Sequence, residues 1–401
     1  MKLDTDLYSP DTYQAGIPHE AFAKLRAECP VYFQEVPGAK GFWVITHHED
    51  IIEISKNPAV FSSWRGGSNI EDYENDDLDQ IRFLMTNMDP PQHAKYRRLV
   101  GKGFTPRMVA AMAPKIRAQV DDIFDRAIPM GRCDFVREVA AELPLRVIAD
   151  LIGVPQEDRG KIFDWSNRLI GFDDPEFQTS LEDGRMAAAE MWFYANELAE
   201  SRAGEEGEDL VRMLLNAELD GEKLTEMEFD AFFLLLSVAG NETTRNAISG
   251  GLLALLEHPT QFERLKADPS LIPTAVEEML RWVSPLIYFR RTATQDTVIR
   301  GQAIKENDKV CLFYHSANRD EAVYDNPQTF DIGRDPNPHL SFGVGEHFCL
   351  GASLARLELQ IFFEELLKRA PDIELDGPIR RLRSNFINGY KALPVRFPSA
   401  G

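Results

Sequence analysis

Cys349 stands in the run Phe342-Gly343-Val344-Gly345-Glu346-His347-Phe348-Cys349-Leu350-Gly351, with glycines on both sides of the sulfur. Glycine permits tight turns and the close approach of a flat ligand. The apolar periodic run that follows reads as a helix over 350–369, which sets Cys349 at its N-terminus. Exposed N–H groups and the helix dipole favour a thiolate there, and a thiolate is a strong soft ligand for iron. A lone cysteine without such neighbours reads more simply as a small buried hydrophobe.

Three other groupings have the types and spacing for chemistry. Ala239-Gly240-Asn241-Glu242-Thr243-Thr244 interrupts a long apolar segment with poor helix formers. A threonine hydroxyl can bond the carbonyl four residues back, here Ala239, and open the helix locally. Glu278 and Arg281 lie three apart on one helix face and can pair. His93 and Arg97 follow Asp89-Pro90-Pro91 near a helix start. Taken singly, the last two read as solvated surface charge.

The elements that must carry these residues are mostly helices, predicted over 92–102, 106–127, 143–152, 181–202, 225–257, 272–283 and 350–369. Thr225 followed by Glu228 is a capping-box start for the longest, about 33 residues, three times the usual helix. A strand pair is expected at 31–36 and 42–46 around Pro37-Gly38-Ala39-Lys40, with further strands at 297–299 and 310–313. Residues 325–348 are rich in Pro, Gly and Asn and read as irregular. No linker splits the chain, so residues 1–401 read as a single domain.

Phe342, Gly345, His347, Cys349 and Gly351 together resemble the haem-binding loop of the cytochrome P450 family, F-x-x-G-x-H/R-x-C-x-G. The resemblance extends from about Asp89 to the C-terminus and implies a mainly α, P450-like fold: a large helical part around a long central helix, with a smaller β-rich part. It implies haem b (iron protoporphyrin IX) with Cys349 as the metal ligand. Glu278-x-x-Arg281 resembles the family's buried ion pair, completed here by Arg334. Ala239 and Gly240 resemble the oxygen-binding groove, Thr243 the residue that positions oxygen and water, and Glu242 the carboxylate that feeds protons. His93, Arg97, Arg291 and His347 resemble the partners of the haem propionates, and the adjoining Arg290 leaves the third of these open. The implied activity is insertion of one atom of O2 into a C–H bond of a hydrophobic small molecule of the steroid, terpenoid or branched-lipid class. Electrons would come from NAD(P)H through a reductase and a ferredoxin or flavodoxin-type donor. A peroxide- or nitric-oxide-using haem-thiolate enzyme, or a non-catalytic haem sensor, stays open as an alternative. By the same resemblance the substrate pocket is lined by Ile70, Phe83, Leu84, Leu169, Phe172, Leu235, Val238, Leu286, Ile287 and Tyr288.

Composition bounds the rest. The 401 residues carry 44 Lys+Arg against 65 Asp+Glu, a net −21 that argues against nucleic acid as a partner. Four scattered cysteines form no C-x-x-C pair, which fits a reducing cytoplasm. No signal peptide or membrane-length apolar run is evident, so a cytoplasmic protein without a membrane contact is expected. Between Pro90 and Gln119, Lys95, Arg97, Arg98, Lys102, Arg107, Lys115 and Arg117 occur with no acid, a candidate dock for an acidic electron donor. Residues 71–79 carry six acids and read as a solvated loop.

Overall fold

The computed structural model describes residues 3–202, 209–219 and 221–398. The central helix Glu226–Glu257 starts where the capping box demands, with the Thr225 and Glu228 side chains each closing on the other's backbone. It is buried on most faces and packs against Glu142–Ile152, Arg159–Ile170, Leu181–Arg202 and Ile272–Val283. That environment, more than propensity, holds Gly240 and two threonines in mid-helix.

The helix Ala352–Arg369 lies between Pro106–Ala127 and Ile272–Val283 in the same core. It begins two residues later than the sequence pattern suggests, with Gly351 as N-cap, so Cys349 sits in the loop ahead of the first turn. The β-rich part is a five-stranded sheet in the order Val31–Val36, Ala39–Ile45, Lys309–Phe313, Tyr288–Ala293, Phe61–Ser62. Ala39–Ile45 and Lys309–Phe313 pair in parallel, which joins the two ends of the sequence in one sheet. The first hairpin is tighter than expected: Val36 pairs with Ala39, so the turn is Pro37-Gly38 alone, with Gly38 at positive φ.

Several short helices carry too few turns for a periodic signal, among them His19–Glu28, His48–Ser55 and Asn75–Ile81. The last corrects the reading of 71–79 as a solvated loop. Part of that segment is helical, and Asp72 is tied to Arg290 at 3.1 Å and Lys309 at 2.7 Å, both buried. Among the described residues no helix is long and apolar enough to cross a membrane.

Candidate active site

The cysteine loop is held by its backbone. Cys349 N–H donates to the Phe342 carbonyl at 2.8 Å, and Phe348 N–H to the Gly345 carbonyl at 3.1 Å. Gly343 and Gly345 have φ of +66° and +76°, and a Cβ on Gly345 would lie 2.8 Å from the Ser55 carbonyl oxygen. Phe342 lies under the Arg356 guanidinium at 4.5 Å, and Arg356 is fixed to Glu277 at 2.7 and 2.8 Å. Against the opposing effect of burial, hydrogen bonds from His339 (3.1 Å) and Arg356 hold the Glu277 carboxyl down at about 2.

The thiolate expectation needs correction. Burial pushes the Cys349 thiol up, opposed by the Gly351 N–H and the charges of Arg97 and Arg356. The helix end alone does not ionise it, because burial outweighs the Gly351 N–H. A bound metal must displace the proton.

One stripe of the central helix is less buried than the rest. In a segment otherwise buried, Ala239 is exposed and Leu235, Val238, Gly240 and Thr243 are half-buried. Leu235, Ala239 and Thr243 are spaced by four and so share a face. Thr243 Oγ1 donates to the Ala239 carbonyl at 2.8 Å, as the spacing suggested. A Cβ on Gly240 would lie 3.0 Å from Ile148, so its missing side chain permits close packing of Glu142–Ile152. Glu242 is fully buried, paired to Arg245, with Oε1 lacking a partner among the described residues. Burial raises its pKa, opposed by Arg245, which also donates to Asn167 at 2.9 Å. Sequence reasoning missed Arg245 and Asn167; the three-residue spacing from Glu242 was the available signal.

Four cation-forming side chains converge beside the loop. The His93 and His347 rings lie 4.1 Å apart, and Arg97 and Arg291 act electrostatically on both. Burial, with those two arginines, lowers His93 to a pKa of about 4. Arg291 is buried and donates to the Arg290 carbonyl at 2.8 Å. Strand alternation separates the two arginines. Arg290 turns outward to Asp72 and to the carbonyls of Asn69 and Glu71, which leaves Arg291 for this cluster. Asp89 is the acid felt by His93 and Arg291, and it is committed to Ser62 and Ser63.

Behind the loop, Glu278 and Arg281 form a fully buried bidentate pair at 2.7 Å, and Arg334 reaches Glu278 at 3.2 Å. Arg281 also donates to the carbonyls of Asn318, Pro327 and Thr329, so the pair pins the irregular segment ahead of the loop.

A cysteine loop bordered by the Arg97 and Arg291 guanidiniums and by two imidazoles fits a flat group that carries carboxylates. A Cβ on Gly351 would meet nothing within 4 Å, so the space beside the sulfur is open. The Cytochrome P450 family model matches residues 131–370. The chain belongs to the cytochrome P450 family. It is 42% identical over 405 residues to a steroid C26-monooxygenase of Rhodococcus jostii, covering 98% of this chain and 85% of that protein. It is 43% identical over 386 residues to a methyl-branched lipid omega-hydroxylase of Mycobacterium tuberculosis, covering 94% and 90%. A Mycobacterium marinum cytochrome P450 in complex with pseudoionone superposes with a TM-score of 0.92 at 37% identity, covering 99% of each chain. The protein is thus a haem-dependent P450 monooxygenase.

The substrate residues inferred from the sequence divide. Phe172 borders a cavity of about 330 Å³ shared with Asp173, Gln178 and Arg383. Leu169, Leu235, Val238 and Leu286 are half-buried, and Phe83 and Leu84 lie near the surface. Ile70, Ile287 and Tyr288 are a correction: they are fully buried in one cluster with Leu7 and Phe313, and Tyr288 Oη accepts the Ile70 N–H at 3.0 Å. Their surfaces are consumed by the β-rich part's own packing.

Proposed function

We propose that this P450 hydroxylates a steroid, terpenoid or methyl-branched lipid near the end of an apolar chain, in the cytoplasm, with electrons from NAD(P)H through a separate reductase and ferredoxin. Cys349 would hold the haem iron, and Arg97, Arg291, His93 and His347 would hold the propionates. When bound, haem supplies dioxygen activation and oxygen insertion. The chain supplies position and protons. The observation that carries this reading is the exposed Ala239 with Thr243 on the same helix face and a buried carboxylate one residue away. Thr243 Oγ1 would hold a water at this face, and Glu242 would pass it the two protons that each turnover consumes.

A spectral titration of purified holoprotein tests the substrate class. Methyl-branched lipids, sterols and terpenoids are expected to give a low-to-high-spin shift. A response confined to small hydrophilic compounds would exclude the class. Thr243→Ala is expected to leave substrate affinity intact while product per NAD(P)H falls about tenfold and hydrogen peroxide rises. Coupling equal to wild type would remove Thr243 from the proposal.

The donor face is supported by geometry around the basic segment. Gly101 lies next to Leu350 of the cysteine loop, and Phe348 beside the sulfur is 41% exposed. Lys115 is paired with Asp150, and Arg117 with Glu364 and Glu365, which withdraws them from the face. Arg98, Lys102 and Arg107 are exposed and make no ion pair among the described residues. Reversing these three charges is expected to lower ferredoxin-driven turnover at least tenfold at low salt and to flatten its salt dependence, with chemical reduction unchanged. Unaltered salt dependence would move the dock elsewhere.

A further inference from the structure

The face of the central helix that meets Arg159–Ile170 and Leu181–Arg202 is unexpectedly polar. Asp230, Ser237, Asn241 and Arg245 are spaced by seven, four and four and form one stripe. All four are buried. The helix packs there against Arg159–Ile170 and Leu181–Arg202, as the contacts Arg245 to Asn167 and Asp230 to Asn196 fix. The chemistry of this seam is unsatisfied. Asp230 Oδ1, Ser237 Oγ, both amide atoms of Asn241, Arg245 Nε and Glu242 Oε1 have no hydrogen-bond partner among the described residues. Ser166 Oγ and Trp192 Nε1, on the two opposing helices, share that state. Leaving one buried polar group unpaired costs about 1–3 kcal/mol, so a file of them at one interface calls for ordered water.

The stripe leads somewhere. Asp230 stands one turn inside the N-terminal end of the helix, beside the exposed Glu226. Asn241 is roughly 16 Å further along at 1.5 Å per residue. Glu242 adjoins Asn241 in sequence, lies between this stripe and the Ala239–Thr243 face, and shares Arg245 with the seam. Burial raises the Asp230 carboxyl to about 6, with Glu226 adding to the rise and Asn196 opposing it, so Asp230 can exchange protons with solvent near neutrality.

We infer that this seam is the proton inlet of the enzyme: a water file from Asp230 past Ser237 and Asn241 that reprotonates Glu242 after each transfer. The inference rests on the proposed role of Glu242. Charge balances simply. Glu242 releases a proton toward Thr243 and regains one from the adjoining water, and Asp230 replaces that from solvent.

The test uses the haem-loaded enzyme with substrate and redox partners. Ser237→Ala/Asn241→Leu is compared with Asn241→Ser, Glu242→Gln and wild type by peroxide yield and by the solvent deuterium isotope effect on turnover. The double variant is expected to raise peroxide several-fold and the isotope effect about twofold, with substrate affinity and first-electron reduction unchanged. Asn241→Ser keeps a hydrogen-bonding group and is expected to stay near wild type. Should the double variant fail to load haem, Ser237→Ala/Asn241→Ala replaces it with the same expectation. Wild-type peroxide and isotope effect in the seam variants, with Glu242→Gln impaired, would overturn the inlet and leave the Glu242 relay standing. If Glu242→Gln is also unimpaired, the relay reading itself fails. Equal impairment in the double variant and in Asn241→Ser overturns the inlet too, since only packing is then at stake.

Discussion

Cys349→Ser is expected to abolish the strongly red-shifted band that the reduced protein gives with carbon monoxide, and to reduce hydroxylation below about one hundredth of wild type. The argument is chemical. A soft, charge-donating sulfur is replaced by a hydroxyl that holds its proton far more tightly, and no second cysteine stands within the loop Phe342–Gly351. Losing a mere outer partner of a metal ligand costs about 10–100-fold, so loss of the ligand itself must cost more. The loop has no structural need of the sulfur, because its backbone bonds and the φ values of Gly343 and Gly345 shape it. The variant should therefore fold and melt close to wild type. A variant that keeps the red-shifted band would end the assignment of Cys349.

Arg281→Met carries the largest expected effect on stability. Arg281 and Glu278 are both fully buried, and Arg281 spends its donors on Glu278 and three backbone carbonyls. Removing the cation leaves a buried carboxylate and those carbonyls short of partners. Breaking such a pair costs about 3–5 kcal/mol, out of a total that is typically about 5–15 kcal/mol. Arg334 and Asn337 remain on Glu278, which sets the lower part of that range as the expectation. Denaturant unfolding measures it, and a loss under about 1 kcal/mol would refute the pinning role. Haem content should fall with stability, because Asn318, Pro327 and Thr329 lead into the segment that ends at the cysteine.

How much of this could be read before any coordinates depended on range. The cysteine loop and the E-x-x-R helix were legible because their residues are close in sequence and their spacing is rigid. Arg334 was legible as a third partner because its segment has a recognisable order. The choice between Arg290 and Arg291 was not, since it depends on the pairing of Tyr288–Ala293 with a strand from far along the chain. Ile70, Ile287 and Tyr288 failed for a related reason: an apolar side chain near a pocket can line it or pack beneath it, and only tertiary packing decides. The seam on the central helix was visible as Ser237, Asn241 and Arg245 in a single stripe. Without the opposing helices nothing marked it as buried.

The opposed arginines of Tyr288–Ala293 also constrain anyone who would widen the entrance for a bulkier guest. Arg290 moors the acidic segment through Asp72, while its neighbour faces the cofactor side. A slip of one residue in that strand exchanges the two sides. Engineering that disturbs the strand's alignment thus loses the tie to Asp72 and the placement of Arg291 together. Redesign is safer in the flanking helices than in the strand itself.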